Sequence, residues 1–262
     1  MQNMKKVRIY KAPKKFILIN TNEGYKKTEK LEKKICETWN KKICENKNLF
    51  NGKMFNIKEV NYYDEIVEIK LNISDYAHYL YTEENRNEID ICRSIASIAL
   101  LKTIDDYYVI GEMSKYTNYS GLYQCPAGSV DIEDCDNSKK NVIDPLKTIL
   151  REVKEEVGID VKKEKSECKY FIVRENSSFL GLIYEIKTNL TREKIENLFL
   201  QNDNKEFKRI IFIKNNKKDI KEFIYKNSTK LVDYLDKIIL NENNNFNNFS
   251  KSAFDYFEKG KI

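Results

Sequence analysis

Arg151-Glu152-Val153-Lys154-Glu155-Glu156-Val157-Gly158-Ile159 is the stretch on which the reading of this 262-residue chain turns. On a helix, Glu152 and Glu156 stand four apart and Glu152 and Glu155 three apart, so three carboxylates share one surface. Leu146, Ile149, Leu150, Val153 and Val157 fall on the opposite surface. That pattern predicts a helix held by an apolar core while its other side presents acids. Arg151 can pair with Glu155 at i,i+4 and fix that carboxylate. Like charges at this spacing repel, more strongly when partly buried. A hard divalent cation removes the penalty, because magnesium prefers carboxylate oxygens and bridges them to substrate phosphates. A solvated face with ordinary Glu–Lys patterning would use the same residues, and composition alone does not separate the two.

Upstream, Asp144 is a good N-cap and Pro145 suits the first helical position, since its missing N–H would be unpaired there. Gly158 is the expected residue just past the helix end. Residues 131–141 are polar without apolar periodicity and read as a loop; residues 122–127 read as a strand ending at Gly128. Further upstream, residues 95–103 and 107–111 read as strands around an Asp105-Asp106 turn, and 75–81 as a short helix. Residues 54–60 and 66–71 read as a hairpin pair, 24–46 as a helix with Leu31, Ile35, Trp39 and Ile43 at four-residue steps, and 7–10 and 16–20 as strands. Downstream, strands are expected at 170–173, 179–186 and 207–213, and helices at 191–200 and 219–240. The Asn-rich run 241–248 reads as a low-complexity linker. Phe246, Phe249, Phe254, Tyr256 and Phe257 give the tail something to dock with, though an unstructured end fits equally.

Residues 126–159 resemble the signature of the Nudix hydrolases: a Gly, five residues, a Glu, seven residues, then Arg-Glu-apolar-x-Glu-Glu-x-Gly-apolar. The second half matches at every specified position, and Gly128 stands as the glycine of the first half. Asp134 takes the place of the first Glu, and nine extra residues separate it from Arg151, so the loop carries an insertion; loop-closure entropy grows slowly enough to allow one. The resemblance implies an α/β fold, an α/β/α sandwich with a mixed sheet. Residues 1–90 would then be an N-terminal α+β extension packed on the catalytic domain, 91–240 the hydrolase domain, and 241–262 a linker and tail. It also implies that Glu152, Glu155 and Glu156 bind Mg2+ (Mn2+ in its place), with the Ala127 carbonyl as a further ligand and Arg151 orienting the glutamates. Glu155, Glu156 and Arg151 would carry catalysis. A further acid from outside the signature is expected; Glu206 is the candidate, with Glu175 and Glu185 as rivals. Trp39, the run from Asn48 to Phe55, Ser74-Asp75-Tyr76 and Arg174-Glu175-Asn176 are similar to the subgroup acting on UDP-glucose and UDP-galactose, which makes Arg174 and Asn176 substrate-binding candidates. Trp39 and Phe50 are read first as core residues of the N-terminal part. ADP-ribose, a dinucleoside polyphosphate, a capped RNA end, or nucleotide sensing without cleavage are the alternatives.

Hydrophobic residues at 41% supply a core, and Lys+Arg 47 against Asp+Glu 41 is too mild a bias to argue for nucleic acid. A small nucleotide is the expected partner. The six cysteines show no C-x-x-C pair, and no apolar run of signal-peptide length follows the basic residues 1–15, so reduced thiols and a cytoplasmic setting are expected. No stretch reaches the ~20 apolar residues of a membrane helix. The single histidine, His78, makes zinc sites and Ser-His-Asp triads improbable and reads as a packing residue.

Overall fold

In the computed structural model, residues 7–85, 88, 90–135, 141–174, 179–203, 206–240, 246–254 and 257 are described. Strands β1 (Val7–Lys11), β2 (Lys15–Gly24), β3 (Lys53–Tyr63), β4 (Ile66–Asp75), β5 (Ser94–Lys102), β6 (Tyr107–Met113), β7 (Tyr123–Gln124), β8 (Ala127–Ser129), β9 (Val142–Ile143), β10 (Ser166–Arg174), β11 (Phe179–Lys187) and β12 (Phe207–Lys214) form two sheets. The larger is mixed, in the order β1-β10-β11-β5-β6-β12, with β7 added on β6 and β8 on β5; β11 and β5 run parallel. The smaller has the order β3-β4-β2-β9. The helices are α1 (Glu29–Glu45), α2 (Tyr76–Glu84), α3 (Pro145–Val157), α4 (Arg192–Leu200), α5 (Lys217–Asn227) and α6 (Leu235–Leu240).

Alternation along the large sheet sorts side chains into two layers. Ile95, Ala99, Phe171, Val173, Leu180 and Leu182 join one core with α3, α4 and the small sheet. Ile98, Leu100, Ile172, Ile183 and Ile110 join the other with α5 and α6. The architecture is therefore mixed α/β, with helices on both faces of a mixed sheet and a second sheet beside α3. Strand pairing crosses residue 90 in both directions: β1 extends the large sheet through β10, and β9, from the segment just before α3, pairs with β2.

Several elements depart from what local pattern predicts. The helix expected over 24–46 begins at Glu29, because Thr28 caps it by accepting from the Leu31 N–H at 3.2 Å. The strand expected over 122–127 is split at Cys125-Pro126; Pro126 has no N–H for a ladder, and its carbonyl instead accepts from Ala99 N–H at 2.8 Å. The loop over 131–141 contains a 3-10 turn, Ile132–Asp134. The helix expected over 219–240 is two helices, because Lys230 and Val232 hydrogen-bond to the backbone of Tyr123 at 2.7 and 3.1 Å. Residues 246–254 are ordered against the chain itself: Asn247 pairs with β1, and Phe254 is fully buried, stacked on Phe171 at 5.1 Å. Trp39 is partly buried between helices, but Phe50 is 82% exposed rather than core. His78 is the packing residue expected, buried with its ring nitrogens on Ser74 Oγ and the Asp90 carbonyl, and burial pushes its pKa down. All six cysteines are free. Among the described residues no helix is long and apolar enough to cross a membrane.

Candidate active site

Helix α3 begins where the sequence says it should. Asp144 accepts from Leu146 N–H at 3.1 Å, Pro145 is the first helical residue, and Gly158 closes the helix in the left-handed region at φ 80°. Ser97 Oγ, from β5, donates to the Pro145 carbonyl at 2.8 Å and pins the helix start to the sheet. Ile149, Val153 and Val157 are wholly buried beneath it. The acids lie on neighbouring turns in three different environments. Glu155 is half exposed, Glu152 is 8% exposed and Glu156 is fully buried.

Arg151 organises the near end of this row. Its Nη1 donates to Glu152 Oε1 at 2.8 Å and to Glu155 Oε2 at 3.2 Å. Its Nε and Nη2 donate to the two oxygens of Asp134 at 3.3 and 3.2 Å. Asp134 is itself buried and fixed by Thr148 Oγ1 at 2.7 Å and by the Asp131 N–H at 3.0 Å. The acid at the place of the first glutamate thus anchors the arginine through the 3-10 turn. Sequence reasoning found no role for it, because the contact spans 17 residues and an insertion.

Glu156 has fewer partners. The Ala127 N–H donates to its Oε2 at 2.9 Å, while Oε1 is buried with no hydrogen-bond partner among the described residues. Burial, then the charges of Glu206 and Glu152, push its pKa well up. Glu206 and Glu156 also meet carboxyl to carboxyl, a pairing that satisfies neither oxygen unless one carries a proton. Burial pushes the Glu152 carboxyl up to about 7, with Arg151 opposing and Glu155 and Glu206 adding to it. Gly128 is required by close approach: a Cβ there would lie 2.0 Å from Glu152 Oε1. Among the described residues, no three His, Cys, Asp or Glu side chains stand as a ready-made metal cluster. In this arrangement Arg151 engages both Glu152 and Glu155.

Of these acids, Glu152 and Glu206 border a cleft of about 1500 Å3. Ala127, Gly128, Glu152 and Glu206 line one end of it, and Arg174 lines it too. The Arg174 guanidinium is not a loose arm: it is paired with both oxygens of Asp233 at 2.7 and 3.0 Å and lies 4.5 Å over the Phe179 ring. Asn176 and Glu175 fall outside the described residues. Glu185 points with Ile183 to the sheet face opposite α3, so of the two described candidates for the extra acid Glu206 is the one placed beside Glu152 and Glu156. Among the described lining residues six are acidic and three are cationic, so the cleft is acidic although the chain is net +6.

No protein-family model matches this chain, and no curated protein matches it. Solved structures with partial similarity include a MutT/nudix family protein from Enterococcus faecalis, at 15% identity over 46% of this chain and 43% of that one, with a TM-score of 0.33. Another is a bifunctional NMN adenylyltransferase/ADP ribose pyrophosphatase from Francisella tularensis, at 13% identity over 56% and 40%, with a TM-score of 0.38. A third is a MutT protein from Methanosarcina mazei Go1, at 12% identity over 64% and 96%, with a TM-score of 0.35. The match spans less than half the length of the first two.

Proposed function

We propose that this chain is a Nudix-type hydrolase that cleaves the diphosphate of a nucleoside diphosphate joined to another group, with a UDP-sugar giving UMP and a sugar 1-phosphate as the preferred reading. The observation that carries it is Glu156, a wholly buried carboxylate with one oxygen lacking a partner among the described residues, beside Glu152 and Glu206. Burying an uncompensated carboxylate costs several kcal/mol. A core has no use for such a group; a hard cation does.

The donor set fits Mg2+, or Mn2+, which takes the same oxygen ligands. Glu152, Glu155 and Glu156 would hold it, with the Ala127 carbonyl as a further oxygen. When bound, the ion supplies neutralisation of phosphate charge and a more acidic water. Arg151, anchored by Asp134, sets the orientation of Glu152 and Glu155. Gly128 keeps the strand close enough for Glu152 to face the cleft. A carboxylate oxygen of Glu206 accepts the proton of the water that attacks one phosphorus, while the bond to the bridging oxygen breaks. The acidic cleft argues against a nucleic-acid substrate, which calls for a concentrated basic groove.

The test is incubation of the purified protein with Mg2+ and separate UDP-sugars, ADP-ribose, a dinucleoside polyphosphate and capped RNA, followed by separation of products. UMP released from UDP-sugars alone is the expected result. AMP released from ADP-ribose alone would move the substrate and keep the chemistry. Nucleotide bound without turnover of any compound would replace hydrolysis with sensing.

A further inference from the structure

Helix α2 contributes Tyr76, Tyr79, Glu83 and Glu84 to the lining of the cleft. Asp75 caps that helix by accepting from His78 N–H at 3.0 Å. Ala77, His78, Tyr81 and Thr82 are buried, with Ala77 and Tyr81 packed on α1. Tyr76, Tyr79 and Glu83, at i, i+3 and i+7, share the other flank and line the cleft. Tyr119, Arg174 and Asp233, from three separate segments, line the cleft beside them. The Tyr79 and Tyr119 hydroxyls are 2.8 Å apart, and Arg174 Nη1 lies 3.7 Å from Glu83 Oε1 in addition to its paired contact with Asp233. Tyr76 and Glu83 line the same cleft as Glu152 and Glu206.

This wall has two properties that constrain what it accepts. It holds two carboxylates against one guanidinium, so another anion placed beside it is repelled. It is also rich in oxygen acceptors fixed by packing and by each other, which favours a group that donates hydrogen bonds.

We propose that this α2 wall selects the part of the substrate that lies beyond the diphosphate, accepting a neutral group rich in hydrogen-bond donors and rejecting an anionic one, with Glu83 as the selecting residue. The proposal rests on the hydrolase reading above for the presence of a diphosphate at the α3 end. Sugar hydroxyls or the exocyclic amine of a nucleobase share this chemistry.

Three Mg2+-bound, non-hydrolysable methylene-bridged analogues separate these cases by calorimetry: a uridine diphosphate hexose, the corresponding hexuronate, and the cytidine diphosphate hexose. Wild-type protein is expected to bind at least one neutral, donor-bearing ligand at least ~10-fold more tightly than its comparator. Hexose over hexuronate places the sugar at the wall; cytidine over uridine places the base there. Glu83→Gln should reduce the preference to under ~3-fold. Equal affinity for all three in wild type overturns the proposal without any variant. So does a preference that folded Glu83→Gln leaves intact. If Glu83→Gln does not fold, Tyr79→Phe replaces it; that variant removes one wall hydroxyl and should weaken the preferred ligand specifically, and weakening all three equally counts against the proposal. Turnover of the natural diphosphates is measured in parallel. Turnover without preference sinks this inference alone, and preference without turnover sinks the hydrolase reading alone.

Discussion

At the α3 end of the cleft one arginine faces three carboxylates, Asp134, Glu152 and Glu155, while Glu156 meets a backbone N–H and the carboxyl of Glu206 and no cation. At the α2 end one arginine faces two carboxylates and holds both oxygens of Asp233. Asp134, Glu152 and Glu156 in the first cluster and Arg174, Asp233 and Glu83 in the second are largely buried, so solvent offers these groups little help. The second carries one more carboxylate than cation and is closed by protein groups. The first is short of positive charge by more than one unit. A deficit of that kind is costly for a fold and is the condition under which a divalent cation is worth most. The difference therefore separates a cluster whose carboxylates nearly match their cation from one whose carboxylates far outnumber it.

Removing the cation from the closed cluster should have the largest effect. Arg174→Met leaves Asp233 and Glu83 buried without their counter-charge, and a loss of about 3–5 kcal/mol in unfolding free energy is expected. Mg2+ should not restore it. A variant as stable as wild type by denaturant titration would erase the distinction between the two ends.

The open cluster should reveal itself through pH instead. Glu152 has its folded pKa raised from 4.5 to about 7, so it holds its proton more tightly folded than unfolded. Its favourable contribution is complete below 4.5 and is lost as pH climbs toward 7, a change of about 3 kcal/mol by linkage. Glu156, raised further by burial, extends the same loss to higher pH. Chelated wild type should therefore lose stability between pH 5 and pH 8 relative to Glu152→Gln, and Mg2+ at pH 8 should reverse the loss. Parallel pH profiles for the two proteins would mean the site is already neutralised.

Glu156→Gln comes next, with turnover expected to fall at least ~100-fold, equivalent to about 2.7 kcal/mol of barrier. Its stability without metal should hold or rise, because an amide in that position cannot acquire the buried charge that ionisation of Glu156 creates. Near-normal turnover would remove Glu156 from the site.

How much of this was legible depends on the distance over which each contact acts. Asp144, Pro145, Gly158 and the apolar stripe of α3 are local chemistry, and each stands where its own residues dictate. Glu206 as a candidate acid near the signature came through the resemblance, whereas the close approach of Gly128 to Glu152 did not. Asp134 as the anchor of Arg151, and Asp233 as the partner of Arg174 59 residues away, were not, because periodicity reports which face of an element is apolar and not what its polar face will meet. The break between α5 and α6 has the same origin, since it is imposed by the backbone of Tyr123. Phe50 was misplaced because an aromatic side chain looks the same in a core and at the mouth of a cleft.

The finest distinction lies within α3 itself. Glu155 differs from Glu152 and Glu156 in being half exposed, with one i,i+4 contact to Arg151. Exposed pairs of this kind contribute about 0–1 kcal/mol, so Glu155→Gln should shift unfolding free energy by no more than that. Mg2+ dependence is where it should show: if Glu155 supplies a cation ligand, the concentration of Mg2+ needed for half-maximal activity rises while stability stays put. A variant with unchanged Mg2+ dependence would confine the cation to Glu152 and Glu156, and would leave Glu155 as the surface partner of Arg151.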